Sequence, residues 1–430
     1  MQKNGKQLLP QNFDYENENS IDENLSKTTK DQKNKSNKPV RRAIIISLAV
    51  LGFSLLAFFF VVTILSPSGV ETWQRKFGGI NDDVVNSIQQ TTDGGYIVAG
   101  RTDSFGSGKL DVYVLKLNSK GDLKWEKTFG GVEDDVANFI QQTTDGGYIV
   151  AGHTDSFGSG KLDVYVLKLN SKGDLEWEKT FGSIRNDEAY SIQQARDGGY
   201  IVAGYTVSLD SRGNAYILKL NSQGDLEWEK TFGGKYWDEA NSIQQNADGG
   251  YIVTGYTESL GLRGDIYILK LNLEGNLEWE KTFGGVRADE AYSIQQTRDG
   301  GYIVAGYTYS FGPGIEDLYV VKLDSEVGLE WQKTFGDKNE EKAYSIQQTR
   351  DGGYIVAGYT KSFGLGESDI YILKLYPHGE IEWQKTFGGK NEEKAYSVQQ
   401  TKDGGYIVAG NSGDDVYVLK LNSDGEVENE

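Results

Sequence analysis

Apolar residues are arranged along this chain in two ways. From Ala43 to Leu65 they form one run of 23 residues without a charge. From residue 71 onward they come in short runs separated by Gly, Asn and Asp. After Phe181, for example, AYSIQQ (Ala189–Gln194), YIVAGYT (Tyr200–Thr206), AYILKLN (Ala215–Asn221) and LEWEKTF (Leu226–Phe232) each have strand character. Asp197-Gly198-Gly199 parts the first two and Gly224-Asp225 the last two. Such pairs suit tight hairpins, because Gly accepts positive φ without a Cβ clash.

This four-strand phrase repeats. Its marker tryptophans, Trp73, Trp125, Trp177, Trp228, Trp279, Trp331 and Trp383, are spaced by 52, 52, 51, 51, 52 and 52 residues. Four antiparallel strands in about 50 residues make one blade of a radial sheet array. The ends indicate that the array closes. The chain enters the repeat on an orphan Trp strand (Glu71–Phe77) and leaves it just after Val416–Asn422, where the next Trp strand is missing. If the first strand completes the last blade, seven full blades result and no edge is left to pair with another chain. The expected fold is therefore all-β: a seven-bladed β-propeller of four-stranded antiparallel blades over 71–430, closed by its N-terminal outer strand.

The same residues resemble bacterial and archaeal β-propeller repeat proteins, through GG-x(4)-D/E, DGGYIVAG and D-x-Y-x-x-K segments in all seven units. That resemblance implies an extracytoplasmic propeller, in a group that mostly lacks an assigned activity. KLNSKGDLEW is also distantly similar to the third-to-fourth strand segment of quinoprotein-type propellers, where a Trp docks neighbouring blades.

The apolar run changes the picture from a propeller alone to an anchored one. As a helix, Ala43–Leu65 would extend about 35 Å, enough for a hydrocarbon layer of about 30 Å. Residues 1–42 are rich in Asn, Lys, Ser, Asp and Glu and read as a disordered tail. Lys38, Arg41 and Arg42 precede the run, whereas Ser66-Pro67-Ser68-Gly69 follow it. Positive flanks stay in the cytoplasm, so the expected arrangement is a cytoplasmic tail (1–42), a transmembrane helix (43–65), a linker (66–70) and an extracytoplasmic propeller.

Charge narrows the partners. The net charge is −19. The tail carries 9 Lys and Arg against 6 Asp and Glu, leaving 35 against 57, or −22, for the remainder. A surface that acidic repels phosphate backbones, which excludes nucleic acid. With no Cys and 2 His, the chain has neither disulfides nor a thiolate metal site.

Candidate chemistry is sparse. The marker Trp of the fourth strand reads as inter-blade packing, and the Gln pairs (Gln89-Gln90 to Gln399-Gln400) as the polar lining of an axial channel. Two carboxylate sets recur: Asp83, Asp135, Asp187, Asp238, Asp289, Glu341 and Glu393 before the first strand, and Asp111, Asp163, Asp265, Asp317, Asp369 and Asp415 opening the third. Their density suits Ca²⁺, but the favoured reading is turn capping together with pairing to the repeated Lys of the third strand (Lys116 and its equivalents), with no cofactor. No carboxylate pair departs from the repeat, and no catalytic constellation is visible. Residues 89–123 and 141–175 differ only at Arg101 against His153, a redundancy that favours a scaffold over an enzyme.

One sector breaks the repeat. Arg185, Arg212, Tyr236, Trp237, Arg263, Arg287 and Tyr309 lie in loops that strand parity places on one face, and they are of the types that dominate binding hot spots. The expectation is a monomeric, single-pass, extracytoplasmic binding scaffold for a protein or glycan. Its alternatives are an extracytoplasmic hydrolase or quinoprotein-like enzyme, and a Ca²⁺-dependent glycan binder.

Overall fold

The computed structural model describes residues 70–427 other than 262. The tail and Ala43–Leu65 lie outside the described residues. Twenty-eight strands, numbered β1–β28 in chain order, form seven four-stranded antiparallel sheets. Blade 3 is typical, with β10 (Asp187–Gln194), β11 (Tyr200–Thr206), β12 (Asn214–Leu220) and β13 (Leu226–Phe232) in that order from axis to rim. Strands a to d below denote these four positions in any blade. The first strand begins two residues earlier than the apolar pattern indicates, because Asp187 and Glu188 pair with Thr206 and Tyr205.

The ring closes as the chain ends predict. β1 (Trp73–Phe77) pairs with β28 (Asp415–Leu421), in register from Trp73 opposite Lys420 to Phe77 opposite Val416. The blade order is β1-β28-β27-β26, with β27 spanning Tyr406–Ser412 and β26 spanning Glu393–Gln400. A seventh sheet made from both ends of the repeat supplies the outer strand of the last blade, so β28 is not left as an open edge.

The hydrophobic core lies between blades. Ile149, Ala151, Val164 and Val166 of blade 2 pack on Ala189, Ile192, Tyr200, Val202 and Leu218 of blade 3, and six comparable clusters complete the circle. The marker tryptophans bridge these cores: the Trp177 ring meets Tyr200 of the next blade edge-on at 5.9 Å, and Trp73 meets Tyr96 at 5.7 Å. Gly224 makes room for this contact. It has φ of +79°, and a Cβ there would lie 2.7 Å from the Trp177 ring.

Strand a carries a bulge in all seven blades, between Ala189 and Ser191 in β10. A bulge adds an unpaired residue and re-aims its side chain. It also explains the Gly of YIVAG: a Cβ on Gly204 would lie 1.8 Å from the Glu188 carbonyl oxygen. The bulge residue is the fourth of the strand, Tyr190 in blade 3, and it points to the axis.

Candidate functional site

Along the axis, strand a builds two different environments. Its C-terminal half is a repeated polar lattice. The first Gln of each blade accepts from the backbone N–H of the second Gln of the next, at 2.6–2.8 Å all round the ring. The second Gln accepts from a turn N–H of the preceding blade, at 2.8–3.0 Å. The Gln pairs thus use their side-chain oxygens in holding blades together around the channel.

The repeated Lys of strand c belongs to this end as well. The expected pairing with the carboxylates at the starts of strands a and c does not occur. Lys219 sits at the sixth position of β12, at the opposite end of the strand from Asn214, and pairs with Asp197 of the DGG turn at 2.8 Å. Equivalent pairs of 2.7–3.1 Å occur in every blade. Burial would raise these Asp carboxyls, but the Lys and the hydroxyl and backbone donors around them outweigh it and hold them below the ordinary range.

The carboxylates at the other end cap turns. Asp83 accepts from the Gly79 N–H at 2.6 Å and the Ser104 hydroxyl at 2.7 Å; Asp135 repeats this with Gly131 and Ser156. Asp163 and Asp317 accept from Gly160 and Gly314. Among the described residues no three His, Asp or Glu side chains gather as a metal centre.

The N-terminal half of strand a opens into a vestibule of about 440 Å³ on the d–a and b–c loop face. Here the blades diverge. The bulge residue reads Asn86, Asn138, Tyr190, Asn241, Tyr292, Tyr344 and Tyr396, all lining the cavity. The second strand position reads Val84, Val136, Glu188, Glu239, Glu290, Lys342 and Lys394. Phe139 replaces the Ser that lines the other six blades.

Glu239 and Glu290, from adjacent blades, come within hydrogen-bonding reach of each other. Burial first, and the Glu290 charge second, push Glu239 up to about 8. Trp237 Nε1 donates to Glu239 at 2.9 Å, while Asn241 and the Tyr307 hydroxyl donate to Glu290 at 3.1 and 2.9 Å. Glu188 behaves oppositely. Burial would raise it, but the His153 ring at 2.9 Å and the Asn138 amide at 3.0 Å hold it below the usual range.

Aromatic rings join this mouth to the sector that breaks the repeat. Trp237 packs on Tyr205 at 5.0 Å and Tyr205 on Tyr190 at 5.8 Å; Tyr309 packs on Tyr307 at 5.6 Å and Tyr307 on Tyr292 at 6.0 Å. Arg287 lies 5.4 Å over the Tyr309 ring. Tyr236 is exposed beside Trp237, and Arg185, Arg212 and Arg263 stand exposed on loops of the same face. Among the described residues no ion pair or ring contact joins those three arginines to the aromatic cluster.

Two features escaped the sequence reading. The change from Val through Glu to Lys at the second position of strand a is visible in the sequence, but only the fold brings Glu239 and Glu290 together at the axis. An apolar crown was also missed: Ile80, Val132, Ile184 and Val286 on d–a loops, with Leu209 and Leu365 on b–c loops, are 71–96% exposed.

No family model matches the chain. Over 219 residues it is 24% identical to the regulatory protein FlaEY of Caulobacter vibrioides, a match spanning 44% of this chain and 23% of that protein's length. In structure it is similar to the Pan2 WD40 domain of Neurospora crassa, with a TM-score of 0.53 and 11% identity over 84% of this chain and 98% of that one. It is also similar to puromycin hydrolase, with a TM-score of 0.53 and 11% identity over 81% of this chain and 54% of that chain. These likenesses establish the propeller fold.

Proposed function

We propose that this chain is a membrane-anchored, extracytoplasmic binding module whose protein partner seats on the d–a and b–c loop face. The observation that carries this reading is convergence: the exposed apolar crown, the aromatic sector and the axial vestibule, whose lining changes from blade to blade, lie on one face. The opposite face repeats the same Lys–Asp and Gln contacts blade after blade, as a scaffold does. Anchoring rests on the 23-residue apolar run and its basic flank.

The chain has no cysteine, so one introduced thiol is unique. Val286→Cys and Ser171→Cys, each carrying a photocrosslinker on the full-length protein in intact cells, report the two faces. A protein-sized adduct, identified by mass spectrometry, is expected at position 286 and not at 171. Adducts at neither position, or equally at both, would refute the proposed face; capture of a glycan alone would move the module to the glycan class.

The Glu239–Glu290 pair favours one second reading, a hydrolase. A carboxyl that keeps its proton to about pH 8 beside a second carboxyl in a cavity is an arrangement suited to general acid–base work. In that case, Glu239→Gln should abolish a turnover that the loop-face variants leave intact.

A further inference from the structure

The vestibule has chemistry specific enough to name what enters it. Its wall over blades 5 to 7 is aromatic: Tyr292 and Tyr344 meet at 5.0 Å, and Tyr344 and Tyr396 at 5.1 Å, tilted by 45° and 46°. Burial pushes the Tyr292 and Tyr344 hydroxyls far up, so the wall is neutral and electron-rich. Facing the cavity from blades 4 and 5 are the carboxyls of Glu239 and Glu290.

Three arguments select a cation. Two carboxylates held together away from water would repel one another, which is why Glu239 keeps its proton; an entering positive charge takes the place of that proton and relieves both the repulsion and the desolvation. An anion would add to the repulsion, and a neutral group would leave it unchanged. Tyrosines one layer farther out on this face already hold cations of the protein itself. The Lys342 ammonium lies 3.8 Å over Tyr307 and the Lys394 ammonium 5.0 Å over Tyr359. The chain outside its basic tail carries −22, which draws in a basic partner.

We infer that the axial vestibule seats a basic side chain, lysine or arginine, of the partner polypeptide, its cation held between the tyrosine wall and the Glu239 and Glu290 carboxylates while the flanking chain rests on the apolar crown. This rests on the binding-face reading and specifies its ligand.

The test is calorimetry on the full-length protein in detergent micelles. The probes are acetyl-Gly-Gly-Lys-Gly-Gly-amide and the same peptide with uncharged norleucine for lysine. The lysine peptide should bind at least about tenfold more tightly. Glu290→Gln, which preserves shape, should remove most of that preference and leave norleucine binding unchanged. Glu280→Gln, on the outer strand, should change neither, and melting curves of both variants check that the ring is intact. Equal binding of the two peptides, no binding of the lysine peptide, or an undiminished preference in Glu290→Gln would overturn the inference. If the position 286 adduct persists in that event, the binding face stands and only the cation is wrong; if the adduct is also missing, the binding-face reading fails with it.

Discussion

On the face formed by the a–b and c–d turns the seven blades are interchangeable; on the face formed by the d–a and b–c loops they are not. At the turn face each blade offers the same Lys–Asp pair and the same two Gln oxygens to its neighbours. At the loop face the second position of strand a runs from Val through Glu to Lys around the ring, and the fourth is Asn in three blades and Tyr in four. A lattice that must close on itself tolerates little variation in any member, since one missing acceptor leaves a partly buried N–H without its link to the next blade. The loop face is free of that constraint. Departure from the repeat there marks where the molecule does something other than hold together.

The strongest way to break this comparison is to open the ring. Deleting Trp73–Phe77 removes the outer strand of blade 7 and the buried Trp73 ring, exposing the β28 edge. Loss of the monomer peak in size-exclusion chromatography and a large fall in melting temperature are expected. An unchanged, monodisperse product would contradict closure by β1.

Next in size is a contrast between two tryptophans. Trp177→Ala empties an inter-blade contact with Tyr200 and should cost about 3–5 kcal/mol in urea unfolding. Trp237 lies in a loop that breaks the repeat. Yet it is half-buried against Tyr205 and Gly213 and donates to Glu239. Trp237→Ala should therefore cost about 1–2 kcal/mol, less than Trp177→Ala but not nothing. Equal costs would make the two faces energetically alike.

A smaller effect tests the Gln lattice. Gln193→Leu leaves the Gln245 N–H without its 2.6 Å acceptor and should destabilise by about 1–3 kcal/mol. A neutral result would show that the lattice is dispensable at one link.

The finest contrast is in pH, because the DGG aspartates and Glu239 shift in opposite directions. The DGG aspartates have lowered values in the fold, Asp145 down to about 2, against an ordinary 3.8. Their stabilisation is present above about pH 4 and is lost as pH falls toward 2. Glu239, raised from 4.5 to about 8 with Glu290, Trp237 and Asn241 against it, does the reverse. Its contribution is complete below pH 4.5 and is lost as pH rises toward 8. The melting temperature of the native protein should fall relative to that of Glu239→Gln between pH 5 and pH 8, and both should drop steeply below pH 4. Parallel curves from pH 5 to 8 would remove the carboxyl pair from the loop face.

The period, the four strands of each blade and the closure by β1 were legible in the amino-acid order, because each is a local or repeating signal. Trp177, Gly224 and the DGG turns state their roles wherever they recur. The loop sector was half legible: Trp237 and Tyr309 stood out as breaks in a repeat, but their connection through Tyr205 and Tyr307 to the axis did not. Nothing local says that the fourth residue of strand a sits on a bulge and turns inward. Glu239 and Glu290 are one repeat apart along the chain and meet only because adjacent blades bring equivalent positions together at the axis. The strand ends that Lys219 and Asn214 occupy likewise decided which carboxylates the repeated lysine could reach. Periodicity determined the scaffold from the sequence alone; the radial geometry, which makes neighbours of residues about fifty positions apart, decided the site.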